Sequence, residues 1–255
     1  MKLVDLCCGC GGFSEGFRQA GFEIILGVDT WDTALQSFKQ NHNCDVWNMD
    51  IRTITELPDC DVIIGSPPCQ NFCSLNVNKD ISKGLELITE FERIVKINNP
   101  EYWAWENVEF VKRFYPSASI FNSWDWGLGQ RRKRAFISNF SMFRMNYKSG
   151  YWTQPLGYDG HLAENISKAG FAHECKSGTV RTKRIRDLDT NKFLSIEDVK
   201  ILMGFQMEYK LCGGVSLQQK QLGNAVCPPV AKTIAECMMM EIDNGNQNYP
   251  IVENR

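Results

Sequence analysis

Short apolar runs, each stopping at a glycine-rich or acidic turn, set the architecture of this chain. Lys2-Leu3-Val4-Asp5-Leu6 breaks into Cys7-Cys8-Gly9-Cys10-Gly11-Gly12-Phe13-Ser14-Glu15-Gly16-Phe17, a glycine turn that opens a helix stopping at Gly21. Glu23-Ile24-Ile25-Leu26-Gly27-Val28 follows and ends in Asp29. Asp45-Val46-Trp47 then runs into Asn48-Met49-Asp50-Ile51, and Asp61-Val62-Ile63-Ile64 stops at Gly65. Apolar runs this short, bounded by glycine, proline and acids, read as strands. Their alternation with helix-like segments from Lys2 to Asn139 predicts an α/β sheet flanked by helices. One such helix is expected from Leu85 to Ile97, ended by Pro100.

The turns carry the chemistry, because open α/β sheets bind ligands at the carboxyl ends of their strands. The first turn suits a nucleoside cofactor: glycine lets the backbone approach a ligand, and a helix N-terminus favours an anion. Its spacing is not the dinucleotide fingerprint, and no Gly-Lys-Ser/Thr follows. Asp29 and Asp50 stand where strand-end carboxylates reach ribose and adenine; taken singly, each also reads as a cap or turn residue. Gly65-Ser66-Pro67-Pro68-Cys69-Gln70-Asn71-Phe72-Cys73 puts a thiol on a loop whose two prolines fix φ and remove two backbone donors. Cys69 reads as a nucleophile, the alternative being a structural loop with an inert thiol.

These motifs and those after them resemble the C5-cytosine DNA methyltransferases that use S-adenosyl-L-methionine, over nearly the full length. The glycine loop is similar to the family's first motif, and Pro67-Pro68-Cys69-Gln70-Asn71-Phe72 to its catalytic loop. Trp105-Glu106-Asn107-Val108 matches the Glu-Asn-Val motif and Gln130-Arg131-Arg132-Lys133-Arg134 the Gln-x-Arg-x-Arg motif. Leu202-Met203-Gly204-Phe205 and Gln221-Leu222-Gly223-Asn224-Ala225-Val226-Cys227-Pro228-Pro229-Val230 match the last two. The resemblance implies a Rossmann-like methyltransferase sheet with a small irregular target-recognition domain. It implies cofactor contacts from Cys7, Gly9, Cys10, Gly11, Gly12, Asp29, Trp31, Asp50, Ile51, Pro68, Asn224 and Val226. Where the family often has an aromatic residue, Cys7 stands, and Trp31 is the expected adenine-packing residue instead.

The chemistry fits the same answer. Cytosine C5 attacks a methyl sulfonium poorly until a thiolate has added at C6, and Cys69 would supply that thiolate. Glu106 would donate to ring N3, which requires a raised carboxyl pKa. The resemblance assigns Arg134 to the cytosine O2 and Arg132 to holding Glu106 or the cysteine loop. A base within duplex DNA must be flipped out for this attack, and the loop with Gln70, Asn71, Ser74 and Asn76 is expected to close over it. The expected partner is double-stranded DNA. Two alternatives stand beside it: a cytosine methyltransferase acting on RNA such as tRNA, and a silent module that only binds cofactor or DNA.

At 255 residues and 43% hydrophobic, the sequence supports one α/β core plus a small appended unit. The expected divisions are a catalytic and cofactor-binding domain at 1–139, a target-recognition region at 140–215, short for the family, and a segment at 216–255 returning to the catalytic domain. A capping-box-like start at Ser195 and a closing helix from Ala225 to Met240 are expected within the last two. No 18-residue apolar run and no charged-then-apolar leader occur, so neither a membrane nor a secreted setting is expected. Eleven cysteines fit a reducing compartment, a bacterial or phage-infected cytoplasm, or a host nucleus for a viral protein. Their spacing does not give two paired Cys-x2-Cys units, so no metal is expected. Net charge −2 offers no global attraction to phosphates, and the positive charge is local, at Arg131–Arg134 and at Arg181–Arg186. The second cluster reads equally as a solvated face. A monomer with no obligate protein partner suits the asymmetric flipped-base reaction.

Overall fold

The computed structural model describes residues 1–69, 71–72, 80–126, 128, 130, 132–142 and 193–246. Gln70, Ser74, Asn76, most of the expected recognition region and the Arg181–Arg186 cluster lie outside the described residues. The strands are β1 (Lys2–Leu6), β2 (Glu23–Asp29), β3 (Asp45–Asn48), β4 (Val62–Gly65), β5 (Tyr102–Val108), β6 (Ser119–Asn122) and β7 (Lys133–Ser138). The helices are α1 (Gly12–Gln19), α2 (Asp32–His42), α3 (Ile81–Asn98), α4 (Ile196–Met203), α5 (Val215–Asn224) and α6 (Pro228–Asn246).

All seven strands form one sheet in the order β3-β2-β1-β4-β5-β7-β6. The first five are parallel, and β7 runs antiparallel to both β5 and β6. The strand order reverses direction between β1 and β4, so the Cys7–Gly12 loop and the Ser66–Cys69 loop flank the crevice that opens there. Because β7 is reversed, the residues that begin it, not those that end it, arrive at this edge. Arg134 pairs in register with Val108 at the end of β5.

Alternation along each strand splits the core into two layers. Leu3, Ile24, Val62, Ile64 and Phe136 face α1, α4 and α6, whereas Val4, Leu26, Ile63, Trp105 and Ala135 face α3. On α3, Ile88, Phe91 and Ile94 are fully buried at helical spacing, each worth about 1.5–3 kcal/mol. This helix starts at Ile81, four residues before the sequence suggests, because the Asp80 side chain accepts from the Lys83 N–H at 3.3 Å and caps it. It ends at Asn98, with Asn99 in the left-handed region ahead of Pro100.

The later helices complete the same core. A capping box joins Ser195 and Asp198 at the start of α4. Segment 193–215, grouped with the recognition region in the sequence reading, packs here into the sheet core through Leu194, Ile196, Val199, Phe205 and Tyr209. Tyr209 donates to the Cys10 carbonyl at 2.5 Å, and Lys210 N–H donates to Asn41 Oδ1 at 2.9 Å. The closing helix begins at Pro228 rather than Ala225, since Pro228 and Pro229 fit a first turn that needs no N–H partners. It packs against α1, where Gly12 is pressed on the Val226 carbonyl and an added Cβ would sit 3.1 Å from Ala225 Cβ.

Candidate active site

The carboxyl edge of the parallel strands encloses a cavity of about 500 Å³. One end is built from β1, β2 and β3. Cys7 and Gly9 hold φ of 57° and 55°, two left-handed residues that fold the loop into a tight turn. The turn is locked by Asp29, whose Oδ2 accepts from Gly9 N–H and whose Oδ1 accepts from Trp31 N–H, each at 2.8 Å. Burial pushes the Asp29 carboxyl up, and these backbone donors oppose it. Burial, then the charges of Asp29, Asp5 and Asp50, pushes the Cys7 thiol well up, so it is a neutral wall group.

Asp50 follows β3 and caps a short turn, Ile51–Thr53. Its carboxylate is held by Arg52: N–H to Oδ1 at 2.9 Å, Nε to Oδ1 at 3.0 Å and Nη2 to Oδ2 at 2.6 Å. These bonds hold its pKa below the usual carboxylate range. Trp31 also lines this end, with the Lys220 ammonium 4.7 Å from its ring centroid.

The other end is built from β4, β5 and β7. Asn107, 1% exposed, donates from Nδ2 to the Pro67 carbonyl at 2.9 Å, fixing the proline loop that presents Cys69. Phe72 N–H donates to the Cys69 carbonyl at 2.9 Å, and the Phe72 ring is buried beneath. Glu106 lies on the same cavity with its Oε1 2.8 Å from Arg134 Nε. The two side chains sit diagonally across β5 and β7, on one face, which is the strand geometry for such a contact. Burial pushes the Glu106 carboxyl up, opposed by Arg134 and then Arg132. Ser66 lies beside Glu106, and its hydroxyl also opposes the rise of that carboxyl.

Arg132 stands behind the wall. It is 1% exposed and donates from Nη2 to the Gly223 and Ala225 carbonyls at 3.0 and 2.8 Å. Burial, then Arg134, lowers its pKa to about 10. It therefore braces the α5–α6 junction, while Arg134 is ion-paired with Glu106. Gly11 and Gly12 also stand behind the cavity, Gly11 against His42 and Tyr209 and Gly12 against Val226. The remaining expected residues, Cys7, Gly9, Cys10, Asp29, Trp31, Asp50, Ile51, Pro68, Cys69, Glu106, Arg134, Asn224 and Val226, all line it.

A family model described as C-5 cytosine-specific DNA methylase matches residues 1–116 and 147–240. The chain belongs to this family. Among its relatives is the type II methyltransferase M.HgiDI of Herpetosiphon aurantiacus, 28% identical over 280 residues that cover 89% of this chain and 90% of that protein. M.HindV of Haemophilus influenzae is 39% identical over 137 residues, 51% of this chain and 45% of the relative, so this match spans about half of that protein. In fold, the chain is similar to the Entamoeba histolytica methyltransferase EhMeth, with a TM-score of 0.70 at 17% identity over 95% of this chain and 98% of that one. The fold is the Rossmann-like methyltransferase fold anticipated from the motifs. The family-model match leaves out 117–146, which contains β7 and so the Glu106–Arg134 pair is completed by residues outside it.

Sequence reasoning missed Met49, Arg52, Lys83, Glu86, Leu87 and Lys220, which also line the cavity. Arg52 had a signal, since a cation two residues after a strand-end acid can reach back onto it. Lys220 had none beyond its place before Gln221.

Proposed function

We propose that this protein transfers the methyl group of S-adenosyl-L-methionine to C5 of a cytosine flipped out of double-stranded DNA, through a covalent bond from Cys69 to C6. The observation that carries the reading is one cavity with two chemically distinct ends: strand-end carboxylates and a glycine turn at one, a thiol with a buried, arginine-held carboxyl at the other. The cofactor end fits that ligand. Asp29 and Asp50 keep free lone pairs for ribose hydroxyls and a purine amine, the loop backbone offers donors for a carboxylate, and Trp31 offers a ring for adenine packing. When bound there, S-adenosyl-L-methionine supplies an electrophilic methyl on sulfur.

The protein's residues do the rest. Cys69, as thiolate, adds to C6. Glu106, kept protonated to higher pH by its burial, gives a proton to N3, so the negative charge of addition does not build on the ring. Arg134 then neutralises the resulting carboxylate at 2.8 Å and would reach the base O2 with a remaining guanidinium N–H, Nη1 already donating to the Lys133 carbonyl at 2.8 Å. With C6 saturated, C5 is an enamine-type carbon and takes the methyl. Loss of the C5 proton to a base and expulsion of the Cys69 thiolate restore the aromatic ring. The Cys69 loop closes over the flipped base, with Gln70 or Asn71 filling the space it leaves.

The test is incubation with tritiated cofactor and duplex DNA carrying 5-fluorocytosine, followed by a denaturing gel beside a tRNA lane. Fluorine at C5 blocks proton loss, so a stable protein–DNA adduct absent from Cys69→Ser is expected. Methyl label in the tRNA lane alone moves the substrate to RNA, and labelled duplex with no trapped protein sinks the covalent mechanism.

A further inference from the structure

Arg52 lies on the cavity wall and is half exposed, at 54% of its side chain. Exposed ion pairs add little to stability. Yet Arg52 commits its guanidinium to Asp50 through two bonds and adds a third from its own backbone N–H. Its backbone N–H and Nε both donate to Oδ1, and Nη2 donates to Oδ2 at 2.6 Å. A bidentate fork fixes the plane of the carboxylate as well as its position. The same residue reaches α3 through Nη1, 3.5 Å from Glu86 Oε1, and Arg93 of α3 donates to the Ile51 carbonyl at 3.3 Å. The Asp50 turn is thereby braced from its own backbone and from the helix alongside.

We infer that Arg52 is a positioning residue for cofactor selection: it fixes the Asp50 carboxylate as an acceptor-only group facing the cavity, so that a purine carrying an exocyclic amine is taken and one carrying a carbonyl there is refused. The inference rests on the cofactor reading above. Oδ1 already accepts two donors, which leaves Oδ2, with one, as the atom free to accept an amine N–H. An ionised carboxylate held in this plane has no proton to offer a carbonyl, so the refused purine meets oxygen against oxygen. Without Arg52, Asp50 is free to turn to solvent, and that change removes the repulsion. The energy at stake is that of one charge-assisted bond and its mirror-image clash. That is enough for a selectivity of about tenfold or more.

The experiment is calorimetric binding of S-adenosylhomocysteine and of S-inosylhomocysteine, its deaminated analogue, to the wild-type chain, Arg52→Met and Arg52→Lys, with KM and kcat for the methyl donor on duplex DNA. The wild type is expected to prefer the adenosyl compound by about tenfold or more, and Arg52→Met to narrow the preference to about threefold or less. KM for the donor should rise while kcat at saturating donor holds, and Arg52→Lys, with one point charge and no fork, should recover part of the preference. The melting temperature should be unchanged, which separates positioning from loss of structure. A wild-type preference that survives in Arg52→Met, or a wild type that binds both compounds equally, overturns the inference and leaves the cofactor reading standing. A wild type that binds neither compound overturns both.

Discussion

Arg134 Nε rests 2.8 Å from Glu106 Oε1 across two antiparallel strands, and the pair is nearly closed off from solvent, at 15% and 7% side-chain exposure. Arg134 lowers a carboxyl that burial has raised. In Arg134→Met the opposing charge is gone, so the Glu106 pKa rises further. On the proposed mechanism, the fall in activity with rising pH, as Glu106 loses its proton, should move to higher pH in this variant. Its kcat/KM should drop by about 10²–10⁴, the usual worth of such a group. Steady-state rates on duplex DNA from pH 6 to 9 check both.

Asn107 donates to the Pro67 carbonyl, and no backbone donor replaces it, since the loop's prolines have none. Asn107→Ala should cost about 1–3 kcal/mol for the buried carbonyl left unpaired. The loop holding Cys69 loosens, so adduct formation with 5-fluorocytosine DNA should slow more than cofactor affinity falls. Urea unfolding and single-turnover trapping measure the two effects separately.

Asp5 is fully buried on β1 with one oxygen taking the Ser14 hydroxyl at 2.6 Å and the other unpartnered. Burial pushes it from 3.8 to about 8. Between these values the folded protein binds the proton and the unfolded chain does not, so the unfolded state binds fewer and stability falls as pH rises. This contribution is fully present below about 3.8 and lost as pH climbs through about 8. Asp5→Asn should flatten the decline in urea midpoint between pH 6 and pH 9 relative to the wild type.

Gly11 caps α1 at φ +94°, where a Cβ would lie 2.5 Å from His42 Nε2 and 2.8 Å from Tyr209 Oη. Gly11→Ala should destabilise by about 1–3 kcal/mol through its left-handed backbone alone, with the crowding adding to it. A lowered melting temperature with weaker cofactor binding is expected, because the displaced rings hold the Cys10 carbonyl in place.

Strand ends were the legible part of this molecule. Asp29, Asp50, Cys69 and Glu106 all follow apolar runs, and the parallel topology carries every such end to one edge. What β7 contributes was harder to read. The run Arg131–Arg134 carries charge where a strand is expected to be apolar, and it is Ala135, Phe136 and Ile137 behind it that bury the strand. Antiparallel insertion of β7 between β5 and β6 depends on pairing far along the chain. It decides which arginine meets Glu106. Arg52 escaped for the opposite reason: its partner is two residues away, but what the pair does depends on the helix beside it.

The tie from Tyr209 to Cys10 spans 199 positions, and the cavity draws its walls from residues near both of these points. A ribosome therefore delivers the cofactor loop long before it delivers the groups that hold the loop shut. Such late, distant contacts make folding slow. They leave the Phe13 and Phe17 face of α1 waiting for α6 throughout synthesis. A site assembled this way is completed in one late step, so on the proposed function a truncated or stalled chain would leave DNA unmethylated.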